Sequence, residues 1–325
     1  MEIQALADEI ISVAVQKQAS DIFVMPGIDC YQIKFRLKKD IQNFRKIGYP
    51  LGKELLNYFK FTAQMDISEH RRPQVGSLIK VYAHQRFFLR LSCVGNFKDQ
   101  ESLVIRIIYG MQENNYFLPS QLQQLEDLST RRGMIITSGP TGSGKTSTMY
   151  EIARCVSKNK MVMTIEDPIE VWEESFLQTQ VNNIAGITYL DLLKAALRHR
   201  PDILIIGEIR DAQTAKVAIN AALSGHLVLA TVHAKSTFQT LSRLEGLEIK
   251  KEELYNAITA ISYQRLLPTK EDKLSCLLDL AYGQKLKEQI LNSKRSDFVA
   301  WKSNLLSLKE KDQIDENTFN DYQDG

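Results

Sequence analysis

The segment Ile135 Ile136 Thr137 Ser138 Gly139 Pro140 Thr141 Gly142 Ser143 Gly144 Lys145 Thr146 Ser147 Thr148 constrains this chain more than any other. An apolar run that reads as a buried strand feeds a glycine-rich turn, and Met149, Ile152, Ala153 and Val156 then recur at helical spacing. A strand, a glycine-rich turn and a helix in that order make a P-loop. Its glycines let the backbone approach a polyphosphate closely, while the loop N–H groups and the positive end of the helix dipole face the anion. The expected nucleotide contacts are Gly139, Pro140, Thr141, Gly142, Ser143, Gly144, Lys145, Thr146 and Ser147. Lys145 is expected to reach the β- and γ-phosphates, and Thr146 to offer its hydroxyl to Mg²⁺.

A chain of 325 residues accommodates roughly two domains, each able to bury a core. Lys and Arg number 41 against 39 Asp and Glu, so the net charge of +2 gives no global field that would favour nucleic acid or anionic lipid. Cys30, Cys93, Cys155 and Cys276 are widely spaced, which argues against a zinc site and for a reducing compartment. No apolar run reaches the roughly 18 residues of a membrane span, and the Met1 Glu2 start lacks the basic region of a signal peptide. Any membrane role is therefore expected to be peripheral.

Residues 1–110 read as an α+β domain. Ile3, Leu6, Ala7, Ile10, Ile11 and Ala14 recur at helical spacing, and strands are expected at Asp21 to Val24, Tyr31 to Leu37, Ser77 to Tyr82, Arg86 to Val94 and Val104 to Ile108. A helix is expected around Leu51 to Met65, and 111–121 reads as a linker. From Leu122 strands alternate with helices, the mark of a parallel sheet, and this second domain is expected to span 122–270. A C-terminal helical segment is expected over 271–325, with weak helical patterns at Leu277, Leu280, Ala281 and at Leu305, Leu306, Leu308, and with fraying from Asp312 onward.

Three clusters in the second domain carry chemistry. After the apolar run Ile203 to Ile206 comes Gly207 Glu208 Ile209 Arg210 Asp211. A second strand beside a P-loop strand supplies acids to the metal and the attacking water, and with Gly207 at the usual Asp position, Glu208 is assigned as the base or water-orienting group and as a Mg²⁺ contact partly through water. Thr164 Ile165 Glu166 Asp167 Pro168 Ile169 Glu170 follows another apolar run, at the strand ends where parallel sheets bind ligands. Gly225 to His233 brackets a third short strand with two histidines. That strand would hold His226 and His233 roughly 23 Å apart at about 3.3 Å per residue, so they cannot share a metal. His233 is the candidate phosphate sensor, and His226 has a structural alternative.

These motifs, in this order, resemble the Walker A, Asp box, Walker B and His box of the type II secretion and type IV pilus ATPase superfamily. The resemblance extends to Ala19 Ser20 Asp21 Ile22, Arg71 to Gly76, Arg90 Leu91 Ser92 and Val104 Ile105 Arg106, and covers roughly residues 3 to 270. It implies a PAS-like N-terminal domain, a RecA-like P-loop ATPase domain of α/β class, ATP and Mg²⁺, and a homo-hexamer at the cytoplasmic face of the membrane. The implied partners are a polytopic platform protein and, indirectly, pseudopilins, with no direct nucleic acid. Position by position it implies Glu208 as catalytic glutamate, Glu170 as a second acid placing the water, catalytic His226 and His233, and arginine fingers at Arg90 and Arg106.

Departures narrow the subtype. Asp21 Ile22 Phe23 stands where the family has Asp-Ile-His, and Lys38 Lys39 Asp40 Ile41 where it has an Arg-x-Asp-Gly turn. A further N-terminal domain and a four-cysteine zinc insert are not expected. The chain is most similar to competence pseudopilus assembly ATPases of Gram-positive bacteria, which serve DNA uptake, with retraction motors and type II secretion ATPases as the rivals. Outside the family, Thr269 Lys270 Glu271 Asp272 fits a GTPase signature but lacks a preceding strand and a switch motif, and a nucleic-acid motor would need a basic, aromatic groove.

Overall fold

The computed structural model describes all residues except 1, 39, 111–113, 183, 184, 272, 293 and 294, and divides into two compact units, 1–110 and 111–325. In the first, α1 (Glu2–Gln16) leads to β1 (Asp21–Pro26), β2 (Cys30–Leu37) and β3 (Asp40–Gly48). Then come α2 (Tyr49–Thr62), β4 (Gln74–Tyr82), β5 (Gln85–Gly95) and β6 (Glu101–Ile108). The strands form one antiparallel sheet in the order β3-β2-β1-β6-β5-β4. Alternation sets its buried face: Tyr31, Ile33 and Phe35 of β2 turn inward with Leu89, Leu91 and Cys93 of β5, and α1 covers them with Ala7, Ile10 and Ile11.

β3 escapes the sequence reading because it is an edge strand whose only buried side chain is Ile47. With only Ile47 buried and Phe44 half-buried against the core, it has too little alternation to detect. Its pairing with β2 begins at a turn where Lys38 has φ +56°, and Lys39 lies outside the described residues.

The second unit runs α3 (Pro119–Leu128), β7 (Gly133–Ser138), α4 (Lys145–Val156), β8 (Val162–Glu166), β9 (Leu177–Gln180), α5 (Tyr189–His199), β10 (Ile203–Ile206), α6 (Ala212–Leu223) and β11 (Leu227–Val232). It continues with α7 (Gln239–Gly246), α8 (Lys251–Ala257), β12 (Ile258–Pro268), β13 (Leu274–Tyr282), α9 (Gly283–Leu291), α10 (Trp301–Glu310) and α11 (Glu316–Tyr322). Its seven strands lie in the order β13-β12-β7-β11-β10-β8-β9, all parallel except the antiparallel edge β13. β7, β8, β10 and β11 are buried at every position, as strands covered by helices on both faces must be. α5, α6, α8 and α9 cover one face, and α3 with α4 the other.

Two stretches differ from the sequence expectation. Leu277, Leu280 and Ala281 belong to a strand, not a helix, and the expected boundary at 270 falls inside the β12–β13 hairpin. β13 is buried from Ser275 to Ala281 on both faces, polar Ser275 and Asp279 included, so it carries no in-and-out alternation to read. Residues 312–325 do not fray. Ile314 is buried beside Trp301, Leu305 and Leu308, and the Trp301 indole donates to the Tyr322 carbonyl at 2.7 Å.

Of the expected linker, 111–113 lie outside the described residues, and the remainder is tied to the second unit. Phe117 N–H donates to the Cys276 carbonyl at 3.0 Å, and Tyr116 Oη donates to Glu151 of α4 at 2.8 Å. Burial raises the Tyr116 phenol well above its ordinary value, so it stays a neutral donor.

Candidate functional site

The carboxyl ends of β7, β8, β10 and β11 open on one cleft of about 810 Å³, with the N-terminus of α4 on its wall. Gly139 has φ +142°, and a Cβ there would stand 2.4 Å from the Gln264 carbonyl oxygen, so only glycine lets β12 close on the loop. Gln264 secures the loop further by donating to the Ser143 carbonyl at 2.6 Å. Gly144 takes a left-handed conformation at the N-cap of α4, aiming the first turn of that helix into the cleft.

Lys145 Nζ donates to the carbonyls of Gly139 at 3.0 Å and Pro140 at 2.8 Å. Burial holds its pKa below the usual lysine range, with Glu208 and Glu170 partly opposing that shift. A cation held by loop carbonyls is poised to exchange them for phosphate oxygens. Thr146 Oγ1 donates to Glu170 Oε2 at 2.8 Å, and Thr141, Gly142, Gly144 and Ser147 line the same cleft.

Glu208 enters from the end of β10. Its backbone N–H donates to Tyr189 Oη at 3.3 Å, and that hydroxyl donates to the Ile165 carbonyl at 2.8 Å, fixing where the carboxylate leaves the chain. Arg210 Nη2 lies 2.8 Å from Glu208 Oε2, and Arg210 Nη1 is 3.7 Å from Asp167. At position 207 a Cβ would sit 3.1 Å from the Ile165 carbonyl oxygen, a tight approach that a side chain there would relieve only by shifting its neighbour.

His233 bridges the two sides, with Nδ1 3.2 Å from the Gly139 carbonyl oxygen and Nε2 3.4 Å from Glu208 Oε1. Both partners are acceptors, so a neutral imidazole donates to one of them at a time. Beneath the cleft, Glu166 is buried and accepts from Thr164 at 2.7 Å and from Tyr150 at 2.5 Å, yet burial still raises its pKa.

The structure therefore brings together Gly139, Pro140, Thr141, Gly142, Ser143, Gly144, Lys145, Thr146, Ser147, Glu170, Glu208 and His233. It does not bring His226 there. That ring sits at the start of β11, its Nδ1 3.0 Å from the Ala221 carbonyl oxygen, because the intervening strand separates the two histidines.

Arg90 and Arg106 belong to the first unit, directly paired across β5 and β6. Arg106 Nε donates to the buried Asp21 at 2.8 Å, leaving its side chain 63% exposed. Thr269, Lys270 and Glu271 directly follow strand β12, contrary to the expectation that no strand precedes them, and Asp272 is outside the described residues.

Sequence reasoning missed Arg210, Tyr189 and Gln264 as members of the site. Arg210 was legible as a neighbour of Glu208. The other two come from distant segments and left no local signal.

The oxygen donors Thr146, Glu170 and Glu208 suit a hard cation such as Mg²⁺. Among the described residues no group of three His, Cys, Asp or Glu could hold a metal alone, so nucleotide phosphates and water would complete its shell.

The family model described as type II/IV secretion system protein matches residues 1–299. The chain belongs to that family. It is 39% identical over 265 residues to competence protein ComGA of Streptococcus pneumoniae, covering 82% of this chain and 85% of that one. To competence protein ComGA of Bacillus subtilis it is 35% identical over 316 residues, covering 90% and 88%. The solved pilus retraction motor PilT with bound ADP superposes with a TM-score of 0.78 at 24% identity, covering 97% of this chain and 96% of that one, a likeness of fold. Membership in the type II/IV secretion family, joined to a P-loop faced by carboxylates, makes the chain an ATP hydrolase of the secretion class.

Proposed function

We propose that this chain is the ATP-driven motor that assembles a type IV pilus-like competence pseudopilus for DNA uptake. The observation that carries the reading is the convergence of Lys145, Thr146, Glu170, Glu208 and His233 on one cleft, in a chain whose relatives over most of its length are named competence protein ComGA. The proposed architecture is a PAS-like domain at 1–110, a linker at 111–121, a RecA-like ATPase domain whose sheet extends through β13, and a helical C-terminal segment. Six copies would act at the cytoplasmic face of the membrane on a polytopic platform protein, reaching pseudopilins indirectly and nucleic acid not at all.

In this reading the loop N–H groups and Lys145 bind the phosphates of ATP. Thr146, with Glu208 partly through water, would hold Mg²⁺, which when bound would supply neutralisation of charge on the phosphates. Glu208 takes a proton from the attacking water, while Glu170 helps to place that water and His233 senses the γ-phosphate. Arg90 and Arg106 are the proposed fingers on a nucleotide held by a neighbouring copy, which would tie turnover to rigid-body closure.

The test combines enzymology and genetics. Lys145→Ala and Glu208→Gln should each abolish turnover, with ATP still bound by the second. Deletion of the gene in its own host should remove surface fibres and DNA uptake together. Fibres that persist or lengthen after deletion would favour a retraction motor, and loss of protein export with uptake intact would favour type II secretion. A purified enzyme stimulated by DNA in a salt-dependent way would favour a nucleic-acid motor.

A further inference from the structure

At the opposite end of the parallel strands from the nucleotide cleft lies a second concavity of about 520 Å³. Successive helix-to-strand turns build its wall, and each contributes a base: Arg131 and Arg132 before β7, Lys160 before β8, Arg200 before β10 and His226 before β11. No ion pair is recorded for any of these four fixed cations among the described residues, whereas Arg106, Arg154, Arg210 and Arg295 each hold a carboxylate. The rim's single carboxylate, Asp202, is engaged with backbone, accepting from the Met161 N–H at 2.8 Å.

Two details separate this cluster from scattered surface charge. Arg200 is the C-cap of α5 with φ +51°, a left-handed position where glycine is the least strained residue, and its guanidinium lines the concavity. Arg132 rests its guanidinium against Gly225, which stands at φ +101° in the turn before β11, so the turns before β7 and β11 meet at the hollow. Cations near helix C-termini also complement the helix dipole, which accounts for each charge singly. It does not account for an arginine kept where glycine is cheaper, nor for unpaired guanidinium groups meeting around one hollow.

We propose that this concavity binds a multiply charged phosphate group, either free or carried on a lipid headgroup, through Arg132, Arg200 and the neighbouring cations. Planar guanidinium forks match tetrahedral phosphate oxygens in bidentate pairs. His226 lines the same hollow with its Nδ1 turned to the Ala221 carbonyl oxygen. The inference does not depend on which fibre the motor serves.

The test titrates full-length protein, its P-loop saturated with Mg-ADP, with pyrophosphate by calorimetry, and in parallel sediments it with vesicles of phosphatidylcholine alone or with one quarter phosphatidic acid, whose phosphomonoester is multiply charged. Binding in either arm supports the proposal and identifies the source of the phosphate. Arg200→Gly, which relaxes the backbone, should keep or raise the melting temperature while weakening the bound anion roughly tenfold, and Arg132→Ala should weaken it similarly. Loss from a Lys53→Ala/Lys302→Ala control should be under twofold. The proposal is overturned if neither probe binds, if Arg200→Gly binds as tightly as the parent, or if a hexaglutamate peptide displaces pyrophosphate at equal concentration, which would mark a docking site for acidic protein segments.

Discussion

The Arg210 guanidinium lies 2.8 Å from one oxygen of Glu208, while His233 stands 3.4 Å from the other. The carboxylate proposed to activate water is thus held between a guanidinium from its own turn and an imidazole from the end of β11. Arg210 is 61% exposed, and exposed pairs of this kind contribute about 0–1 kcal/mol to stability. Arg210→Ala should therefore leave the melting temperature nearly unchanged but lower kcat roughly tenfold, with Arg210→Lys in between. An unchanged kcat would show that Glu208 needs no such positioning.

Replacing the carboxylate itself should have a larger effect. Removal of a general base costs about 10²- to 10⁴-fold in rate, so Glu208→Gln should lose turnover on that scale while nucleotide affinity stays within a few-fold. Retained hydrolysis would refute the role given to Glu208. Lys145→Ala should instead lose affinity, since Nζ is the buried cation beside the loop carbonyls.

Glu166 gives the structure a pH dependence. Its folded pKa is raised from the ordinary 4.5, chiefly by burial, so the folded state binds the proton more readily than the unfolded state does. Stability is then greatest below 4.5 as far as this group is concerned, and falls as pH rises toward the folded pKa. Glu166→Gln keeps an acceptor for Thr164 and Tyr150 but cannot ionise. Its melting temperature relative to the parent should climb as pH is raised from about 4.5 to neutrality. Parallel curves for the two proteins would contradict this.

Asp279 is fully buried in β13 and accepts from Thr237 Oγ1, from the Val299 N–H at 2.8 Å and from the Ala300 N–H at 2.7 Å. It fastens the start of the C-terminal helices to the sheet. Asp279→Ala leaves several buried donors unpaired and should cost about 2–4 kcal/mol by chemical denaturation. Asp279→Asn, which keeps one acceptor oxygen, should cost less.

Arg106 is held by Asp21, and Arg90 lies opposite it across the strand pair. If these arginines act on a neighbour's nucleotide, Arg90→Ala should lose about 10³- to 10⁵-fold in turnover. Mixing it with Lys145→Ala subunits should then restore part of the activity. A strictly monomeric enzyme with full activity would exclude action across subunits.

Local sequence determined the elements whose signal lies within one turn or one strand. The order Gly139 to Thr146 dictates a strand, loop and helix, and the run Leu227 to Val232 a strand that must keep His226 from His233. Those inferences rest on backbone sterics and on the periods of helix and strand, which need no partner. Tertiary structure decided what depends on distant partners. β3 pairs only because β2 offers it an edge, and β13 is a strand because β12, the C-terminal helices and the segment around Tyr116 bury it. Arg210, Tyr189 and Gln264 join the cleft for the same reason. Burial and hydrogen bonding between segments far apart in the chain override local pattern, and neither is written in the residues on either side.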